Sequence, residues 1–311
     1  MTPIRINSVS QYIDQTNEVL GTLASDLSLS ERAFFRGHSQ YQYKLLPSIA
    51  RQINPSIHNN PLFIEKQIIT EAKLRLPHMF ANERYEVNML AKMQHYGIKT
   101  RLLDFTENPV VALYFACIDE TAADGAVYMF VEKQENIETC YSPVANAIAH
   151  MYDRIGFFFD DYIRCIEDMD FFKVLSLKYN QDFFSSRDDY IKELVEDFNT
   201  PLFVLPEQHF ERQIRQQAAF MIFPNRIGFN DESHAVLHDD IAAIEIDPRL
   251  RREFLINSAS KQQILKELHG MGFNKSTLFP EPENICSDIM QRSHELFNME
   301  KKPHHVPPHG G

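Results

Sequence analysis

Residues 91–116, AKMQHYGIKTRLLDFTENPVVALYFA, crowd eight polar side chains into one turn region ahead of an apolar run: Gln94, His95, Tyr96, Thr100, Arg101, Asp104, Thr106 and Asn108. Asn108-Pro109 reads as a helix start, with Asn as N-cap and Pro in the first helical position. Such a start presents free backbone N–H groups and a partial positive charge, a seat for an anion. Arg101 can add a bidentate fork to a phosphate. Asp104 can fix Arg101 or Arg36, or accept hydrogen bonds from a ribose. Capping alone accounts for Asp104, Thr106 and Asn108, but not for Gln94, His95 and Arg101 as well. His95 has the chemistry of an acid or base and equally that of a hydrogen-bonded structural residue.

Two other segments carry comparable chemistry. Ala33-Phe34-Phe35 leads into Arg36-Gly37-His38, where alternation puts Phe34, Arg36 and His38 on one face of a strand. An arginine on a buried strand needs a carboxylate or phosphate partner, and Gly37 would let a ligand approach the backbone. A structural ion pair satisfies Arg36 equally well. In FERQIRQQAAFMIF, residues 210–223, Arg212, Gln216 and Phe220 recur every fourth residue into a strand, and Gln216 or Gln217 is expected to face the cleft of Arg36. GxSxG, Walker A, GxGxxG and HExxH patterns are absent.

The elements that must position these residues read as follows. Amphipathic helices are expected over 8–22, 62–80 and 84–96, the last stopping at Gly97. A loop spans 98–108. The run from Val110 to Ile118 is apolar all round, a buried helix. Strands are expected at 125–131, 202–205, 218–223, 242–246 and 254–257. Residues 143–198 read as a charged helical insertion, followed near the end by helices at 260–270 and 283–298. The order implies an α+β fold with a mostly antiparallel sheet. The chain divides into an N-terminal helix (1–29), a main domain (30–285, with 133–200 as the insertion), a C-terminal helix (286–300) and a disordered Pro- and His-rich tail (301–311).

Composition bounds the partners. The chain has 311 residues and a net charge of −12, which opposes broad, sequence-blind binding to nucleic acid but leaves room for a local basic groove or a basic protein partner. Cys117, Cys140, Cys165 and Cys286 form no CxxC pair, so zinc-type spacing is absent and no metal is expected. No stretch approaches the ~18 apolar residues of a membrane span, and the N-terminus lacks a signal peptide's apolar core. The expectation is a cytoplasmic protein with reduced thiols and no membrane contact.

The segments together resemble the FRG-domain family. Phe35-Arg36-Gly37 supplies its signature, and Leu46-Pro47-Ser48-Ile49-Ala50-Arg51 is similar to the L-P-S-x-x-R piece that follows. Gln94-His95-Tyr96-Gly97, Thr100-Arg101-Leu102-Leu103-Asp104, Thr106 and Asn108-Pro109 resemble its longest motif. Arg212, Gln216 and Phe220 look like its C-terminal motif, with Ala218 where the family has glycine. Lys261 to Leu265 and Thr277-Leu278-Phe279-Pro280 extend the resemblance to about residues 30–285. A weaker resemblance is to ADP-ribosyltransferases of the arginine–serine–glutamate type. Arg36-Gly37, then Thr106 with Ala112–Ala116, then the 210–223 strand follow their order, and the fold expected is correspondingly ADP-ribosyltransferase-like.

These resemblances imply NAD as substrate and a macromolecular acceptor, whether RNA, DNA or protein. They imply a bacterial toxin or anti-phage defence effector under an inhibitory antitoxin or a trigger protein. Arg36, Asp104, Glu211 and Gln216 are the implied catalytic residues. Arg36, Gly37, His38, Gln94, His95, Tyr96, Thr100, Arg101, Thr106 and Asn108 are the implied binding residues. The Glu-x-Glu of those transferases is missing, with Glu211, Gln216 and Gln217 in its place. Either Glu211 or Asp104 supplies the carboxylate, or a glutamine suffices, or the domain is a non-catalytic nucleotide- or phosphate-sensing module. NAD hydrolysis without an acceptor is a further alternative.

Overall fold

Consecutive strand residues face opposite ways, so the pair Phe34-Phe35 needs an apolar core on each side of its sheet. A computed structural model supplies both. It describes residues 2–24, 31–51, 61–80, 83–119, 122–241, 247–287 and 289–290. In chain order the strands are β1 (Ile4–Ile6), β2 (Glu31–His38), β3 (Leu102–Thr106), β4 (Gly125–Lys133), β5 (Glu138–Thr139), β6 (Leu202–Leu205), β7 (Ala218–Ile222), β8 (Asn225–Phe229), β9 (Ala235–Ile241) and β10 (Leu250–Ile256). The helices are α1 (Val9–Ala24), α2 (Pro61–Arg75), α3 (Pro77–Phe80), α4 (Glu86–His95), α5 (Pro109–Cys117), α6 (Pro143–His150), α7 (Phe159–Ile166), α8 (Asp170–Lys178), α9 (Arg187–Phe198), α10 (Glu211–Arg215), α11 (Lys261–Gly270) and α12 (Lys275–Leu278).

The fold is mixed α/β around one large, mostly antiparallel sheet of order β1-β10-β4-β2-β3-β7-β6-β5, with β8–β9 as a separate hairpin. Only β1 against β10 and β5 against β6 run parallel. Phe35 packs with α1, α5 and α11 on one face, while Phe34 stacks on Phe203 at 4.3 Å on the other. The two halves of the sheet join narrowly. β2 pairs with β4 from Glu31 to His38, and β3 pairs with β7 from Leu102 to Thr106. Between β2 and β3 the ladder has one register pair, Phe35 with Thr106. Among the described residues no helix is long and apolar enough to cross a membrane.

Several expectations are corrected. The stretch 98–108 is not simply a loop, because Leu102–Thr106 is the central strand β3. Helix 62–80 breaks at Leu76, since the following Pro77 lacks an N–H and disfavours helical backbone before it. β1 and the β8–β9 hairpin were not foreseen. Residues 143–198 hold α6 to α9, and Ala145, Ile148 and Phe198 share one core with Leu90 and Met93 of α4 and Ile222 of β7. The expected strand 242–246, the tail 301–311 and most of the helix 286–300 lie outside the described residues.

Helix α5 fixes the local geometry. Asn108 Oδ1 accepts from the amides of Val110 (2.9 Å) and Val111 (3.3 Å), so this N-terminus is closed by its own cap and offers no open anion seat. The helix then crosses β2 and β4 at backbone contact. A Cβ on Gly37 would lie 2.0 Å from the Ala112 carbonyl oxygen, and one on Gly125 2.3 Å from that of Ala116. The space on the Cβ side of Gly37 is therefore taken by α5. Gly37→Ala should cost at least the ~1–3 kcal/mol of an overpacked core. Gly21→Ala, on α1 with nothing within 4 Å of the new methyl, should instead stabilise by about 0.5–1 kcal/mol. Urea unfolding of the two variants checks the contrast.

Candidate functional site

A cleft of about 200 Å³ opens over the seam where β2 and β3 part. Phe35, Arg36 and Gly37 of β2 and Asp104, Phe105 and Thr106 of β3 form its floor. Ala91, Gln94 and His95 of α4 make one wall, and Phe115 of α5 faces them. Arg212, Gln213 and Gln216, on and just after α10, close the third side with Ala218 and Phe220 of β7.

Most of the polar side chains around the cleft are held by specific partners. Arg36 donates from Nε to His38 Nε2 (2.8 Å) and from Nη1 to the Asp104 carbonyl oxygen (2.5 Å). The guanidinium thus satisfies a β3 carbonyl where the ladder stops. Burial pulls the Arg36 pKa down to about 10, with Asp104 opposing the shift, so it remains charged at neutral pH. Burial, then the charges of Arg36 and Arg51, pushes His38 down to about 3. His38 is therefore neutral and acts as an acceptor that orients Arg36. Thr100 Oγ1 donates to Gln94 Oε1 (2.6 Å), and Gln94 Nε2 donates to Asp104 Oδ1 (2.6 Å). Asp104 Oδ2 takes no protein donor among the described residues. Thr106 Oγ1 donates to the Gln216 carbonyl (2.6 Å) and accepts the Asn108 amide (2.9 Å), tying β3 to the end of α10. Gln216 Nε2 donates to the Leu278 carbonyl (2.9 Å). Arg212 lies 4.6 Å over the Phe279 ring and 4.0 Å from Glu281.

Residues 31–125 match the family model of the FRG domain. The chain carries an FRG domain. No curated protein and no solved structure matches the chain. The FRG segment contributes both strands of the cleft floor together with α4 and α5, while Arg212, Gln213 and Gln216 come from beyond it.

Within the FRG domain, Arg36, Gly37, Gln94, His95, Asp104 and Thr106 meet in the cleft, joined by Gln216 from outside it. Other implied residues do not line it. His38 lies behind Arg36, and Thr100 is a buried link to Gln94 whose own amide donates to Ser48 Oγ (3.2 Å) in the Leu-Pro-Ser piece. Asn108 is occupied as a cap. Tyr96 is half exposed, with its ring edge-on to His95. Glu211 points away along α10, paired with Arg215 at 2.7 Å.

The largest correction concerns Arg101. It is fully buried, and its fork is spent on Glu65 of α2, Nε to Oε1 at 3.1 Å and Nη2 to Oε2 at 2.5 Å. Nη1 donates to the Phe223 carbonyl (3.2 Å) and Asn225 Oδ1 (3.1 Å). Four of its five N–H groups are engaged and the side chain is fully buried away from the cleft lining, so Arg101 does not reach a phosphate arriving there. Arg212, four residues before Gln216 in the sequence, is a cation that does line the cleft. Glu65→Gln, which strands a buried guanidinium charge, should lose about 3–5 kcal/mol in denaturant unfolding.

Proposed function

We propose that the FRG domain's cleft binds NAD and that the protein transfers ADP-ribose from it to a macromolecule. The observation that carries this reading is the joining of two arginines and one carboxylate with an uncommitted oxygen in a cleft walled by aromatic rings. Arg212, held by a long ion pair to Glu281 and the face of Phe279, is the freer cation and takes the pyrophosphate. Arg36 Nη2 adds a donor from the floor. The cleft is smaller than the ~300–1,000 Å³ that encloses a drug-sized ligand, so it seats the nicotinamide-ribose half and leaves the adenosine half at the mouth.

Cleaving the nicotinamide–ribose bond places positive charge on the ribose. Asp104, the one carboxylate lining the cleft among the described residues, stabilises that charge, with its orientation fixed by Gln94. This gives Asp104 the role that Glu211 cannot reach. Support for the fold analogy comes from the sheet, where β2 with Arg36-Gly37, β3 with Thr106 and β7 are neighbours. The acceptor is RNA, DNA or protein. We read such an activity as that of a cytoplasmic toxin or defence effector held by an antitoxin or trigger, a reading the family resemblance supports.

One observation favours a non-catalytic nucleotide sensor. The second carboxylate of a Glu-x-Glu pair is absent from the cleft, and Asp104 is itself bridged to Gln94. Asp104→Asn separates the readings, because it keeps shape and neutralises charge. Nicotinamide release from NAD should fall by about 10²–10³-fold with an unchanged unfolding midpoint. If wild-type protein binds NAD by titration calorimetry yet neither releases nicotinamide nor labels any component of a cell extract, the sensor reading replaces the enzyme. Release without labelling marks a glycohydrolase.

A further inference from the structure

His95 closes α4 and faces the cleft alongside Asp104. Its ring lies flat on Phe210, with centroids 4.0 Å apart and planes at 12°. Tyr96 meets it edge-on at 5.0 Å. Its plane is therefore fixed by stacking, and neither ring nitrogen has a hydrogen-bond partner among the described residues. By contrast, His38 accepts from Arg36, and His150 and His209 face Glu86 and Glu207. Apart from Asp104, whose anionic form is needed against the ribosyl cation, His95 is the group lining the cleft with a lone pair basic enough to take a proton near neutral pH.

We propose that His95 is the general base of the transfer step, and that the acceptor is therefore a neutral N–H or O–H group and not a carboxylate. This rests on the NAD reading above. As the acceptor atom bonds to the ribose C1′, the C1′–nitrogen bond breaks and its electron pair leaves with nicotinamide. The acceptor's proton passes to a ring nitrogen of His95, and the imidazolium then loses it to solvent. A carboxylate acceptor has no proton to give at neutral pH and leaves this base idle.

The surroundings keep the imidazole neutral. Burial and then the charge of Arg212 hold its pKa below the ordinary 6.5, with Glu281 opposing. Asp104 and Arg36 are the other charged side chains lining the same cleft. Because the neutral form is the active one, transfer should rise with pH through a midpoint below 6.5 and then level off.

The test uses the whole protein with labelled NAD and cell extract. His95→Phe keeps the stack on Phe210 and removes both nitrogens, so it should fold as wild type by urea unfolding. It should lose roughly 10²–10⁴-fold in label transfer and lose the acid limb of the pH profile. Added imidazole should restore part of the activity of His95→Ala. The transferred label should survive neutral hydroxylamine, which cleaves esters to carboxylates. Transfer by His95→Phe at the wild-type rate, or a hydroxylamine-labile label, overturns the proposal while nicotinamide release by wild type still upholds the NAD reading. Wild-type protein that releases no nicotinamide overturns both.

Discussion

The two halves of the sheet meet at the single ladder pair Phe35–Thr106, and the cleft follows from that economy. On one side, β1, β10, β4 and β2 share a core with α1, α5 and α11; on the other, β3, β7 and β6 pack with α4 and the helices of 143–198. Each helical layer is anchored to its own half, so a groove is left above the seam. The strands part there, and the backbone groups left at their edges need partners other than a ladder. Arg36 supplies one from its side chain, and Thr106 turns its hydroxyl to the carbonyl of Gln216. The same two residues that close the seam form the floor of the site, so structural and chemical roles cannot be assigned to separate side chains here.

Arg36 and Arg101 show how environment decides what an arginine does. Both sit at sheet strands or their entrances, and both are charged. Arg101 faces a carboxylate of α2 in a buried interior, where four hydrogen bonds offset its desolvation. Arg36 faces a neutral histidine and a carbonyl, partners that orient it without neutralising it. Its charge is still available to the cleft, whereas that of Arg101 is consumed. The favourable field for an anion thus comes from Arg36 and Arg212, not from the arginine inside the longest motif.

Much of this was legible in the sequence where local rules apply. Asn108-Pro109 announced a cap, Gly97 a helix stop at φ +82°, and Leu202–Leu205 a strand, because caps, left-handed glycines and short apolar runs depend on near neighbours. β3 was hidden because Leu102 and Leu103, on opposite faces, are both buried while Asp104 stands exposed in the cleft, which breaks the polar alternation of a half-buried strand. The Arg101–Glu65 pair joins residues 36 apart, and no spacing rule links them. Gly37 was legible as a close approach, but not as an approach by α5, since that depends on where a helix seventy residues later crosses the sheet.

The helical residues 143–198 have a role in the site although none of them lines it. Val87, Leu90 and Met93 turn the back of α4 into the core built by Ala145, Ile148, Tyr162 and Leu194. Gln94 and His95, at the end of the same helix, reach the cleft from the opposite side. The wall bearing these two residues is therefore positioned by α6 to α9, while the wall bearing Phe115 is positioned by α5 on Gly37 and Gly125. The separation of the two walls is the width of the cleft. A repacking of the core of α6 to α9 that tilts α4 changes that width without touching a cleft residue. These helices are thus the natural place for this fold to vary what the cleft admits, since their core can be rebuilt while the α5–glycine contact, backbone against backbone, allows no such latitude.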